Sequence, residues 1–245
     1  MRYKEKYNVR WHDTDANREV HPSGVLMFMQ ETGNRQFVSA GRSLDAIRDE
    51  EGVGFILSRI AIDMLSPLHA YEDIEVDTFT CPSRGFTFPR GWEIKRNGCV
   101  VARANSQWAL VRVADHSLVR SDAFALSFGD EPELQTEMPL RFRIPSHMAW
   151  EEVGSRQISF ADIDYNMHMN NTRYPDMLRD FLPTPAALRV TGVSLAYCKE
   201  AAYGDTLIVE RASAGDGTYY IRTRKGEDVC LEAMVRTENR KDGNE

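Results

Sequence analysis

The run Asp162-Ile-Asp-Tyr-Asn-Met-His-Met-Asn-Asn171 sets a carboxylate, an amide and an imidazole at alternate positions 164, 166 and 168. These three side chains handle protons in different ways. A carboxylate accepts, an imidazole can accept or donate near neutral pH, and an amide orients a neighbour through one accepting and one donating edge. Acid–base chemistry is what such a set could do. An earlier stretch, Asp13-Thr-Asp-Ala-Asn-Arg-Glu19, repeats the Asp-x-Asp-x-Asn core 149 residues upstream, but with Glu19 where the later copy has His168. The pattern reads as a duplicated chain that keeps its chemistry in one copy.

The elements that must position these residues also recur. Tyr71-Glu-Asp-Ile-Glu-Val-Asp77 matches Tyr203-Gly-Asp-Thr-Leu-Ile-Val209 at an offset of 132, and Trp92 to Gly98 loosely matches Tyr220 to Gly226 at 128. The drop in offset after the opening motif gives the first copy a longer helix and following loop. Pro22 to Ala40 carries Val25, Met29 and Phe37 at helical spacings, with Pro22 suited to a first turn and Gly41 to a C-cap, so one long helix is expected there. Strand-like runs follow at 54–65, 73–80, 86–96 and 100–113, separated by Pro-Ser-Arg-Gly and Asn-Gly turn signals. The second copy gives a shorter helix near 170–182, then strands near 189–197, 206–212, 219–224 and 229–236. Residues 128–146 hold three prolines and several acidic groups and read as a linker. A helix followed by an antiparallel sheet, twice over, is an α+β pattern.

With 245 residues, 42% of them hydrophobic and 27% charged, the chain can bury a core. A net charge of −7 argues against a nucleic-acid partner. The N-terminus MRYKEKYNVR has no apolar leader core, and no stretch approaches the roughly 18 consecutive apolar residues of a membrane span, so a soluble, cytoplasmic protein without a membrane partner is expected. Cys81, Cys99, Cys198 and Cys230 form no CxxC pair and read as reduced thiols. Cys198 reads as a small buried hydrophobe rather than a nucleophile. An EF-hand calcium loop is excluded, because its sixth position, normally Gly, is Arg18 or Met167 and its twelfth, normally Glu, is Gly24 or Arg173. His12, Asp13, Asp15 and His21 lack a zincin spacing and read as polar groups at a helix entrance, so no metal or other cofactor is expected.

The segment Phe160-Ala-Asp-Ile-Asp-Tyr-Asn-Met-His-Met-Asn-Asn-Thr-Arg-Tyr174 resembles the active-site segment of acyl-acyl-carrier-protein thioesterases, Asp-x-Asp-x-Asn-x-His-x-Asn-Asn-x-x-Tyr. Tyr197-Cys-Lys-Glu200 is similar to that family's Tyr-x-x-Glu, and Arg90-Gly-Trp92 through Trp108 resembles a strand pair of its first domain. The resemblance implies two tandem hotdog domains, each a long helix wrapped by an antiparallel sheet: 1–127, holding the acyl-chain pocket, and 150–245, catalytic, joined by a linker over 128–149. It implies catalytic roles for Asp164, Asn166, His168 and Glu200. Ala201 stands where plant members have a cysteine once proposed as nucleophile, which leaves carboxylate-driven chemistry: either Asp164 attacks the thioester carbonyl or Glu200 with His168 deprotonates water. The N-terminal end of the helix near Asn170 is a candidate source of oxyanion donors. In the repeat, His168 faces Glu19 and Glu200 faces Leu68, so the first copy is expected to hold the acyl chain. Met27, Met29, Phe37, Phe55, Leu57, Ile60, Arg90 and Trp92 are its candidate substrate contacts. The implied partner is acylated carrier protein, with coenzyme A thioesters as alternative substrates and a non-catalytic acyl-binding module as the contrasting reading. The duplication permits either a monomer or a homodimer.

Overall fold

The computed structural model describes residues 2–124 and 131–240. In the first half, β1 (Tyr3–Asn8) leads into a 3₁₀ turn at Trp11–Asp13, helix α1 (Pro22–Ser39) and helix α2 (Leu44–Glu51). Strands β2 (Val53–Met64), β3 (Asp73–Thr80), β4 (Phe88–Arg96), β5 (Cys99–Arg112) and the two-residue β6 (Leu118–Val119) follow. The second half has β7 (Glu151–Gln157), 3₁₀ turns at Phe160–Asp162 and Asn171–Arg173, and helix α3 (Tyr174–Asp180). It ends in β8 (Leu188–Tyr197), β9 (Thr206–Gly215), β10 (Thr218–Lys225) and β11 (Asp228–Asn239).

Local chemistry accounts for the helices. Pro22 starts α1 where its missing N–H costs no hydrogen bond, Leu26, Met29, Gly33 and Phe37 form its buried stripe, and Gly41 leaves the helix at a φ of 76°. Helix α2 is bounded by the Ser43 hydroxyl, which accepts the Ala46 N–H at 3.1 Å, and by Gly52 at a φ of 64°.

The described strands form one antiparallel sheet in the order β1-β3-β4-β5-β2-β8-β11-β10-β9-β7, with β6 attached to β5. The order of the first five strands is mirrored by that of the second five. The seam is the pairing of β2 with β8, in register from Arg59 opposite Ala196 to Asp63 opposite Gly192. Alternation turns Ile60 and Ile62 of β2, and Val193 and Leu195 of β8, into one core cluster that also takes in Leu26 and Met29 of α1 and Met177 and Leu178 of α3. Helices α1 and α3 meet at their first turns, where each supplies the other's cap. Asp176 Oδ1 accepts the Ser23 N–H and Ser23 Oγ accepts the Asp176 N–H, both at 3.0 Å.

The connection between halves is a strap laid on the opposite face of the sheet. Asp63 on β2 accepts the backbone N–H groups of Glu137 and Met138 at 2.8 Å each. Ser194 on β8 donates to Pro139 O at 2.7 Å, and Asn105 on β5 exchanges two bonds with the Leu134 backbone. The strap thus crosses three strands. The expected boundary at 127 and 128 lies outside the described residues.

Four elements depart from the sequence reading. Strands β1 and β7 were not expected; each sits at a sheet edge and contains many polar residues. Helix α2 fills the extra length assigned to a loop. The expected helix over 170–182 is a 3₁₀ turn followed by the seven residues of α3. Among the described residues, no helix is long and apolar enough to cross a membrane.

Gly192 lies where the strap presses on the seam: a Cβ there would sit 2.5 Å from Met138 Cγ and 3.2 Å from Ile62 O. Because Met138 is fully buried, Gly192→Ala is expected to lower stability by about 1–3 kcal/mol through overpacking. Urea unfolding measures this, and a midpoint equal to wild type would remove the strap from the stability argument.

Candidate active site

The opening motif builds the same loop twice. In the second half, Asp162 caps its 3₁₀ turn: Oδ2 accepts the Ser159 N–H at 2.9 Å and hydroxyl at 2.6 Å, while Oδ1 takes Arg156 at 2.7 Å. Asp164 then folds the next turn, its Oδ1 accepting the Asn166 N–H at 2.8 Å and its carbonyl accepting the Met167 N–H at 2.9 Å. The Asp164 N–H closes the loop on His168 O at 3.0 Å, and Met167 takes a φ of 64°. In the first half, Asp13, Asp15, Asn17, Arg18 and Glu19 repeat every one of these positions: Asn17 N–H to Asp15 Oδ1 at 2.8 Å, Asp15 N–H to Glu19 O at 2.8 Å, and Arg18 at a φ of 62°. The shared Asp residues are therefore loop formers in both copies.

The copies differ in what the loop presents. His168 Nδ1 lies 3.3 Å from Glu200 Oε2, with the two side chains 32% and 50% exposed. Even with the imidazole charged, a contact this open adds only about 0–1 kcal/mol to stability. Glu200 stands just beyond the end of β8, in a turn held at one side by Tyr197, whose hydroxyl donates to Asn171 O at 2.9 Å. On the other side Asp205 accepts the Ala202 N–H and the Lys225 ammonium at 2.8 and 2.9 Å. Lys225 is the first cause of the Asp205 carboxyl lying below the usual range. An isolated bridge pairs His168 with Ala202, as Glu19 pairs with His69 in the first half. Since Val20 N–H bonds Leu68 O and Met169 N–H bonds Ala201 O, Leu68 corresponds to Ala201, one residue on from the sequence alignment. Pro67 then stands at the position of Glu200.

In the first half the same positions are tied to the second by arginines. Asp15 pairs with Arg179 of α3, and Glu19 with Arg240 at 2.7 Å. Burial pushes the Asp15 carboxyl up, but Arg179 and the backbone N–H groups of Glu19 and Asn17 outweigh it and hold the group below its ordinary value. Asn166 receives the reverse contact, with Arg48 Nη1 donating to its Oδ1 at 2.6 Å. Neither α2 nor Arg48 was anticipated, although Ser43 and Gly52 at a helix-length spacing were a usable start and stop signal.

Two of the expected oxyanion donors are engaged within the turn. Asn170 Oδ1 accepts the Thr172 N–H at 2.9 Å and Asn170 O the Arg173 N–H at 2.9 Å. Cys198, two residues from Glu200, is exposed rather than the buried hydrophobe expected, and desolvation of its thiol together with Glu232 pushes it up.

A cleft of about 630 Å³, open to solvent, lies between α1, α2 and the sheet of the first half. Phe37, Phe55, Arg90 and Trp92 line it, with Leu44, Phe88 and Trp108. Arg90 donates to Gln36 Oε1 and Thr78 Oγ1 at 2.5 and 3.0 Å, and its burial lowers the guanidinium to about 10, still charged at neutral pH. Met29, Leu57 and Ile60 lie in the core rather than on the cleft, and Met27 is 41% exposed on α1. They are packing residues in a helix and a strand, where apolar character alone did not separate core from lining.

Residues 1–120 match the family model for the acyl-ACP thioesterase N-terminal domain, and residues 149–238 that for the C-terminal domain. The chain is 23% identical over 230 residues to the chloroplastic oleoyl-acyl carrier protein thioesterase of Coriandrum sativum, covering 84% of this chain and 61% of that protein. It is 19% identical over 253 residues to the palmitoyl-acyl carrier protein thioesterase of Arabidopsis thaliana, covering 97% and 61%. The chain thus spans about three-fifths of the length of these curated relatives. Its fold is shared with the crystal structure of an acyl-ACP thioesterase from Bacteroides thetaiotaomicron, at a TM-score of 0.86 and 19% identity over 97% of this chain and 98% of that one. The 12:0-ACP thioesterase of Umbellularia californica gives 0.77 and 14% over 98% of each chain.

The caps carry a pH prediction. Burial raises the Asp162 carboxyl, but Ser159 and Arg156 outweigh it and hold it below its ordinary value, as Arg10 does for Asp13. A depressed folded pKa contributes stability that is complete above the unfolded value of about 3.9 and is lost as pH falls through the folded one. Asp162→Ala is expected to cost about 1–2 kcal/mol near neutral pH and to flatten the acid limb of the unfolding midpoint. An unchanged limb would contradict the cap assignment.

Proposed function

The chain belongs to the acyl-ACP thioesterase family, and on that premise we propose that it hydrolyses the thioester of an acylated carrier protein, releasing a free fatty acid and ending chain elongation. In this reading the chain is two tandem hotdog domains, 1–127 and 150–245, joined by 128–149. The mirrored strand order about the seam supports that division. The first domain holds the acyl chain in the cleft lined by Phe37, Phe55, Arg90 and Trp92, and the second carries out the chemistry. The thiols of Cys99, Cys198 and Cys230 fit a reducing compartment such as the cytoplasm.

The observation that carries the reading is the His168–Glu200 contact on a loop whose Asp residues also shape the fold. Glu200 Oε2 lies 3.3 Å from Nδ1 of His168, and its negative charge favours a proton on that nitrogen, which leaves Nε2 as the base. Water loses a proton to Nε2 as its oxygen bonds the thioester carbon. The C–S bond then breaks, the sulfur takes up that proton, and the products are a fatty acid and the carrier's thiol. Asn166 orients the reacting groups through its amide, and Asp164, besides shaping the loop, adds negative charge that stabilises the imidazolium. Cys198 has no part in this scheme, because a raised thiol is a poor source of thiolate.

Thiol release from a panel of acyl-carrier-protein and acyl-coenzyme A thioesters tests the proposal. Carrier thioesters are the expected substrates, with His168→Ala and Glu200→Gln each losing about 10²- to 10⁴-fold in kcat and Cys198→Ser keeping wild-type rates. Full turnover by folded His168→Ala would sink the site assignment. Preference for coenzyme A would change the carrier, and no release from either would leave an acyl-binding module.

A further inference from the structure

Helix α2 joins the acyl cleft to the catalytic loop. Leu44, in its first turn, lines the cleft, and Arg48 stands one turn later on the same face. Between them Ile47 is buried in a cluster with Phe37, Phe88 and Phe124, which couples the helix to the cleft wall. Arg48 Nη1 donates to Asn166 Oδ1 at 2.6 Å, and its guanidinium lies 5.2 Å over the Tyr165 ring. A guanidinium only donates and an amide has one accepting oxygen, so this bond decides which way Asn166 faces. Oδ1 is turned to α2, and the Nδ2 donors point to the other edge.

The first half supplies the comparison. Its equivalent loop is also held by an arginine from the opposite half, but Arg179 takes the Asp15 carboxylate. An arginine in that position on Asp164 would cancel the charge beside His168. Arg48 binds the amide instead, and among the described residues Asp164 takes part in no ion pair.

We propose that Arg48 is a positioning residue for the thioester reaction: it aims the Asn166 Nδ2 donors at the substrate carbonyl oxygen and, through α2, makes that aim depend on a filled acyl cleft. The proposal rests on the catalytic reading of Asp164, Asn166, His168 and Glu200. A donor fixed in advance on the oxygen that gains charge lowers the barrier, whereas a freely rotating amide does so only in part of its orientations.

The test measures kcat and KM on carrier thioesters of one long and one short acyl chain for wild type, Arg48→Met, Arg48→Lys, Asn166→Ala and the Arg48→Met/Asn166→Ala double variant. Melting temperatures check that each is folded. Arg48→Met is expected to lower kcat about 10- to 100-fold with KM little changed, and Arg48→Lys, which can donate to the same oxygen, to recover part of the loss. The double variant should be no slower than Asn166→Ala alone, and the advantage of the long chain in kcat should shrink in Arg48→Met. Wild-type kcat in Arg48→Met, additive losses in the double variant, or a rise in KM alone would each overturn the proposal, the last by moving Arg48 to carrier docking. Wild-type turnover by Asn166→Ala would instead overturn the catalytic reading on which it stands.

Discussion

The pairing of β2 with β8 is the contact on which the rest of the molecule depends. Five residue pairs, from Arg59 opposite Ala196 to Asp63 opposite Gly192, turn a six-stranded and a five-stranded half into one sheet. Backbone bonds contribute about 1 kcal/mol net each, and the larger gain is the apolar area buried when Ile60, Ile62, Val193 and Leu195 join one core. The seam also fixes where the helices lie, so that α1 and α3 cap each other through Ser23 and Asp176. Once the halves are locked in this way, a side chain from either one can reach the other's loop.

Duplication followed by divergence is visible in those loops. The backbone made by Asp13 to Glu19 is made again by Asp162 to His168, down to the left-handed residues Arg18 and Met167. What changed is the polar groups at the mouth. In the first half Glu19 and Asp15 are neutralised by Arg240 and Arg179, a use of charge that holds the halves together. In the second half His168 and Glu200 stay accessible to water and to each other. One loop has become a clasp, and the other is the proposed reaction site.

Much of this was legible in the residues, for physical reasons that also mark where legibility ends. Helix α1 and the central strands announce themselves because they bury a face, so their apolar spacing follows the helical or strand period. Edge strands β1 and β7 bury little, and their many polar side chains look like loop. Helix α2, with the sequence LDAIRDEE, has Ile47 as its one buried residue and left only its cap signals to read. The candidate catalytic motif was readable because His168, Asn166 and Asp164 are local to one another. Arg48 is not: it meets Asn166 across 118 residues, and only the folded sheet brings the two together. Likewise Met29, Leu57 and Ile60 could not be told from cleft residues by type, since lining and core share the same apolar chemistry.

The central claim is that water, activated by His168 and Glu200, attacks the thioester directly. A single turnover with enzyme in excess, run in ¹⁸O-labelled water and followed by mass analysis of the fatty acid and of the peptide containing Asp164, addresses it most directly. Direct attack places one solvent oxygen in the acid during the first turnover and none in the peptide. Labelled oxygen in the Asp164 carboxylate, with unlabelled acid released, would contradict the account and make Asp164 the nucleophile.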